Sequence, residues 1–121
     1  RQACGSTLAQ HEGVQWMLGA AAMEIHVGRL LTMPAAWKLD QGDFARKEVS
    51  MAKVAVADTL HKAVDTAIQL CGAHGYSRDT VLEWIYRYAR QARLVDGASE
   101  VHKMELSRHL LNEGMEFWSW N

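Results

Sequence analysis

The residues of this chain that could do chemistry are carboxylates near histidines, two cysteines and two glycine-bearing turns. Glu24 and His26, like Glu100 and His102, stand two residues apart, while Glu105 and His109 stand four apart. A carboxylate-bridged di-iron centre needs Glu-x-x-His on two helices of a bundle, so that both ligands of each pair point inward one turn apart. That spacing is absent. A two-residue step puts the side chains on different helix faces, and the Glu105/His109 pair has no second copy, so His26, His61 and His102 read as ordinary surface or capped histidines. Cys4 and Cys71 have neither CxxC spacing nor the density of a secreted disulfide scaffold, which makes them free thiols. Cys71 falls at a helix C-terminus, where the dipole disfavours a thiolate, and is expected to be a small buried residue. The stretch Cys71-Gly72-Ala73-His74-Gly75-Tyr76-Ser77-Arg78-Asp79 permits positive φ and close backbone approach, and opens on a new helix. A helix start after such a turn can hold an anion. In the second turn, Asp96-Gly97-Ala98-Ser99, the acidic residue suits a bend or cap.

Helices must position these residues. From Leu8 to about Leu39, Val14, Met17, Leu18, Ala21, Ile25 and Gly28 follow the i, i+3, i+4, i+7 pattern of a buried stripe. A second face, Trp16, Ala20, Met23, Val27, Leu30 and Leu31, is apolar as well, which predicts a central helix with neighbours on more than one side. Pro34 predicts a kink or short break near Thr32. Asp40-Gln41-Gly42-Asp43 supplies a Gly stop and an N-cap in Asp43. The second helix spans about Phe44 to Leu70, with Val49, Ala52, Val56, Leu60, Ala63, Ala67 and Leu70 on one stripe, and ends at Gly72. A shorter helix from about Thr80 to Arg93 follows, then Ser99 as N-cap of a last helix from Val101 to about Met115, and an aromatic tail, Phe117-Trp118-Ser119-Trp120. The expected fold is all-α, an up-and-down bundle of about four helices.

At 121 residues with 49% hydrophobic side chains the chain suits one domain with a real core. Lys+Arg 13 against Asp+Glu 14 leaves a net charge of -1, without the excess that nucleic acid or an anionic membrane would need. Glu24, His26 and Arg29 interrupt the longest apolar run, so no membrane insertion is expected. No signal peptide is seen, and a start on Arg suggests a fragment.

A set of ordered motifs resembles the C-terminal helical domain of flavin-dependent acyl-CoA dehydrogenases. That family carries Arg-x-x-Phe-Gly-x-x-Leu followed by Gln, a helix rich in Met and Ala, then Gln-x-x-Gly-Gly-x-Gly-Tyr/Phe, an Arg-Asp pair and Glu-Gly-Thr before a final helix. This chain has Arg1-Gln2-Ala3-Cys4-Gly5-Ser6-Thr7-Leu8, His11-Glu12, Ala35-Ala36-Trp37, Gln69-Leu70-Cys71-Gly72-Ala73-His74-Gly75-Tyr76, Arg87-Tyr88-Ala89-Arg90 and Asp96-Gly97-Ala98-Ser99-Glu100 in the same order. The form Asp-Gly-x-x-Glu-Val-His is most similar to a branch in which Asp replaces the usual Glu, some of whose members are fused to a phosphotransferase-like domain.

The resemblance implies a complete enzyme with an N-terminal helical domain, a middle β-domain and this bundle, which here would lack its first helix. FAD and an acyl-CoA thioester would lie between the domains. It implies α,β-dehydrogenation: a carboxylate takes the proton α to the thioester, and the β-hydrogen leaves as hydride to the flavin. The base position carries over to Asp96, one methylene shorter than the family's Glu; in another part of the family the base comes from an upstream helix. FAD-binding positions carry over to Arg1, which in the family meets the pyrophosphate of the neighbouring subunit's cofactor, to Gln69, Gly72 and Ala73 along the dinucleotide, and to Ala98 and Glu100. Arg suits phosphate, and small residues let the backbone come near it. Departures occur at Cys4 for Phe, Glu12 for Gln, Ala73 for Gly, Tyr88 for Asp and Ala98 for Thr. Arg87, which that Tyr follows, is as well suited to a salt bridge or cation-π contact inside the bundle as to a ligand, and Trp16, Trp37 and Trp84 suit core and interface packing. Further implications are a homo-oligomer, dimer or tetramer, an electron-transferring flavoprotein or similar acceptor, and a location that is cytoplasmic in a bacterium or mitochondrial or peroxisomal in a eukaryote. The alternative reading is a catalytically silent helical oligomerisation or binding module descended from the family.

Overall fold

The computed structural model describes residues 1–119; Trp120 of the aromatic tail lies outside them. A hairpin of β1 (Gln2–Ala3) and β2 (Ser6–Thr7) and a 3-10 turn (Leu8–Gln10) precede α1 (Glu12–Asp40), α2 (Arg46–Cys71), α3 (Ala73–Tyr76), α4 (Leu82–Ala92) and α5 (Ser99–Glu113), and a 3-10 turn (Gly114–Trp118) follows. The fold is the expected all-α bundle: four long helices, with α3 a single extra turn. Its first helix starts later than the apolar pattern suggests. Cys4 and Gly5 both adopt positive φ, +53° and +83°, which closes the strands by a two-residue turn of the hairpin type. The His11 ring then joins hairpin to helix, with Nε2 3.1 Å from Ser6 Oγ and 3.0 Å from the Ala3 carbonyl oxygen.

The central helix is α2, not α1. It packs against α1, α3, α4 and α5, whereas the principal neighbour of α1 is α2. Ser50, Ala57 and Val64, all buried, recur every seven residues and so share one face of α2. In the helices packed around α2, Gly28 and Ala35 of α1, Ala89 of α4 and Ser99 of α5 are also buried. These are small side chains, and they let the backbones approach closely: a Cβ added at Gly28 would sit 3.3 Å from Val56 Cγ2. The second apolar face of α1 is left uncovered by the described residues, with Trp16 and Met23 each 68% exposed. Trp37 and Trp84 are exposed too, so none of the three tryptophans lies in the core.

Pro34 does not break α1, which runs continuously through it. Packing along α2 outweighs the one amide that proline removes, and the nearby Thr32 hydroxyl donates to the Gly28 carbonyl at 2.9 Å. Asp43 is a turn residue rather than the N-cap: its Oδ1 accepts from the Ala45 amide at 3.0 Å, and Ala45, at φ +47°, is the residue flanking α2. Cys71 is exposed rather than buried: it is the last residue of α2, at the open end of the bundle.

The C-terminal 3-10 turn is latched to α2 by Lys47. Its ammonium donates to Glu113 Oε2 at 2.9 Å and to the Phe117 carbonyl at 3.3 Å, and lies 5.2 Å from the centre of the buried Phe117 ring. The bond from Lys47, then that with His109, holds the Glu113 carboxyl below its ordinary 4.5. A carboxyl depressed in the folded state stabilises above its unfolded pKa, and that contribution is lost as pH falls through the folded value. Thermal melting should therefore worsen as pH drops below 4.5, and Lys47→Met should flatten that part of the profile. An unchanged profile in the variant would show that the latch contributes nothing.

Candidate functional site

The residues expected to matter fall into two clusters, one at each end of α2. At its C-terminal end, Gly72 adopts φ +61° and ψ −142°, conformations that only glycine takes readily, and terminates the helix. Its missing side chain is space used by Arg1: the guanidinium Nη1 lies 2.8 Å from where a Cβ would stand. Arg1 is itself pinned by the hairpin, its carbonyl accepting from the Leu8 amide at 2.9 Å. The cation thus sits at the C-terminal end of α2, where the helix dipole favours positive charge. Gln69 lies in the last turn of α2, its carbonyl accepting from the Gly72 amide at 3.3 Å, and Ala73 opens α3; both are exposed. Gly75 brings α3 hard against α2, since a Cβ there would lie 2.7 Å from Cys71 Cβ and 3.0 Å from the Ile68 carbonyl oxygen. Arg1, Gln69, Gly72 and Ala73 are therefore gathered at one end of the bundle.

The second cluster is the turn between α4 and α5. Asp96 and Gly97 both have positive φ, +53° and +85°, and the reversal places the Ser99 amide 3.1 Å from the Arg93 carbonyl. Ser99 is consequently the first helical residue, buried, and the N-cap is Ala98, with no side-chain capping bond. The expected Ser99 cap is not formed: Ser99 lies inside the helix by one residue, and its buried Oγ has no hydrogen-bond partner among the described residues. Asp96 and Glu100 are exposed and Ala98 is half-buried. Among the described residues the Asp96 carboxylate makes no hydrogen bond or ion pair.

What holds this turn is a group of residues that the sequence reading passed over. His102 Nε2 lies 3.1 Å from the Asp96 carbonyl oxygen, and its Nδ1 lies 3.0 Å from the Oγ of buried Ser50 on α2. Lys53, one turn further along α2, donates to the Gly97 carbonyl. Gly97 has to be glycine for His102 to be there: a Cβ would stand 2.8 Å from Nε2. The signal was present in Asp-Gly-x-x-Glu-Val-His, because a side chain in the first turn of a helix leans back toward the helix start. Read by type and spacing alone, His102 is an ordinary surface or capped histidine, since the pattern does not show the Ser50 partner on α2. Arg87, by contrast, is exposed and forms neither ion pair nor cation-π contact among the described residues.

The two clusters do not meet within the chain. Lys53 and Gly72 are roughly 28 Å apart along the helix at 1.5 Å per residue. Among the described residues no helix is long and apolar enough to cross a membrane.

Known proteins share the sequence pattern and fold of this chain. The family model for the acyl-CoA dehydrogenase C-terminal domain matches residues 1–111. (R)-benzylsuccinyl-CoA dehydrogenase of Thauera aromatica is 36% identical over 97% of this chain, which spans 29% of that protein. Acyl-CoA dehydrogenase family member 11 of Gallus gallus is 39% identical over 89% of the chain, which spans 14% of it. A solved structure from Mycobacterium abscessus, provisionally described as an acyl-CoA dehydrogenase, superposes with a TM-score of 0.89 at 36% identity, covering 93% of this chain and 28% of its own. Sequence and architecture agree, and the chain belongs to the acyl-CoA dehydrogenase family as a C-terminal domain.

Proposed function

We propose that this domain, within its full-length protein, helps build the active site of a flavin-dependent acyl-CoA dehydrogenase acting on the α and β carbons of an acyl-CoA thioester. The observation that carries the reading is the uncommitted carboxylate of Asp96, displayed on a turn whose backbone is gripped from two sides. A residue serving only as a cap would spend its side chain on the helix start, which Asp96 does not. In this role the carboxylate takes the α-proton. FAD, when bound, supplies the acceptor for the hydride that leaves the β-carbon. Asp96 is exposed in this chain, so the dry surroundings a base needs come from substrate and the remaining domains.

The residues at the other end of α2 suit the cofactor's phosphates. Arg1 offers a guanidinium beside a residue without a side chain, and Gln69 and Ala73 lie in reach of the same surface. Ala98 and Glu100 flank the base position on the α5 side. As the family resemblance implies for Arg1, its guanidinium meets the cofactor of a neighbouring copy, and the working form is a homo-oligomer. The uncovered apolar face of α1 is the surface available for such packing. An electron-transferring flavoprotein or similar acceptor reoxidises the reduced enzyme.

The full-length protein should purify yellow, and anaerobic stopped-flow mixing with a panel of acyl-CoA thioesters should bleach the flavin with at least one of them. A colourless protein, or a yellow one that no thioester bleaches, would defeat the proposal and leave a helical oligomerisation or binding module.

A further inference from the structure

We propose that His102 is a positioning residue for the reaction, fixing the direction of the Asp96 side chain through the Asp96 carbonyl. This rests on the reading of Asp96 as the base. A carbonyl oxygen can only accept, so Nε2 of His102 carries the proton it donates at 3.1 Å. In the neutral ring Nδ1 is then the acceptor, and the Ser50 hydroxyl donates to it at 3.0 Å. The chain of contacts runs from a 3% exposed serine on the central helix, through an imidazole, to the backbone of the acidic residue.

The need for such a tie comes from the backbone. Asp96 at φ +53° and Gly97 at φ +85° adopt a left-handed pair that Asp-Gly accepts readily but that is one of several conformations open to an exposed turn. A peptide held at its carbonyl cannot rotate, and its Cα–Cβ direction is then set. Lys53 binds the next carbonyl along, that of Gly97, so two successive peptide planes are anchored to α2. The imidazole also occupies the place of a Gly97 side chain, so the turn and the ring fit only together. A base displaced by about 1 Å can lose about 100-fold in rate, which makes this anchoring relevant to turnover rather than to folding alone.

The test uses the full-length holoenzyme and compares His102→Ala, His102→Gln and His102→Asn with Asp96→Asn. The readouts are flavin reduction at saturating acyl-CoA, the thioester concentration for half-saturation, FAD content and melting temperature. His102→Ala should slow reduction about 10 to 100-fold with half-saturation and FAD content little changed. Gln carries an amide nitrogen out to the reach of Nε2 and should recover most of the rate, whereas Asn reaches only as far as Nδ1 and should not. A Gln variant about tenfold faster than the Asn variant supports the proposal, and equal rates overturn it. That comparison still decides if His102→Ala loses FAD or does not fold. In a cycle, adding His102→Ala to Asp96→Asn should cost little more than Asp96→Asn alone, because the histidine acts through the carboxylate. Full additivity would overturn the proposal. If Asp96→Asn collapses flavin reduction while every His102 variant reduces at the wild-type rate, the positioning role fails and the base assignment stands. If Asp96→Asn is itself silent, the base assignment fails.

Discussion

Asp96→Asn in the full-length protein is expected to retain FAD and acyl-CoA while slowing flavin bleaching about 100 to 10,000-fold, the usual loss when a general base is removed. The geometry makes this a clean substitution. Asn tolerates the left-handed region as well as Asp does, so the φ of +53° at this position is no obstacle to it. The carboxylate has no hydrogen bond within the described residues to lose, and α5 starts at Ser99 without a side-chain cap. A structural effect should therefore be small, and any large rate loss belongs to the proton transfer. Asp96→Glu restores the residue usual in the family. It should keep measurable turnover, reduced by the poorer fit of Glu to positive φ and by one extra methylene of reach. Wild-type bleaching in the Asn variant would transfer the role of base to a residue outside this chain.

Gly72→Ala is expected to lower stability by about 1 to 3 kcal/mol and to weaken FAD retention in the full-length protein, two losses from one methyl group. The stability loss comes from backbone: φ +61° with ψ −142° is open to glycine and strained for alanine, and α2 ends there. The cofactor loss comes from displacement, since the methyl would stand 2.8 Å from the Arg1 guanidinium and push it aside. Arg1→Lys separates the two, keeping the helix end intact while removing the planar, bidentate donor. It should reduce FAD content with little change in melting temperature. Should Gly72→Ala melt like the wild type and keep its flavin, both the strained helix end and the placement of Arg1 would be refuted.

Much of this fold can be read from periodicity. The apolar stripes of α1 and α2, the stop at Gly72 and the breaks at Gly42 and Gly97 all lie within a few residues of where pattern and turn chemistry put them. What periodicity does not contain is which apolar face finds a partner. Trp16 and Met23 have the spacing of a buried stripe and are exposed, while Ser50 and Ser99, polar by type, are among the most buried residues. Single-residue backbone choices were hidden for a different reason. Cys4 and Ala45 adopt positive φ although neither residue type favours it, because the hairpin and the α2 packing hold them there. At the candidate site, Arg1, Gln69, Gly72, Ala73, Ala98, Glu100 and Asp96 came from the order of motifs. The tie from Ser50 through His102 links residues 52 apart in the chain, and no local pattern encodes it.

Because both clusters hang on α2, that helix also sets the angle between them. An α-helix advances about 100° per residue, so one residue inserted between Lys53 and Gln69 would swing one cluster about 100° around the axis relative to the other, besides moving it about 1.5 Å. A deletion would do the same in the opposite sense. No side-chain adjustment can undo a rotation of that size. The middle of α2 thus keeps its residue number as strictly as a screw thread keeps its pitch, whereas the stretch from Ser77 to Val81, which bears neither cluster, is free to change length.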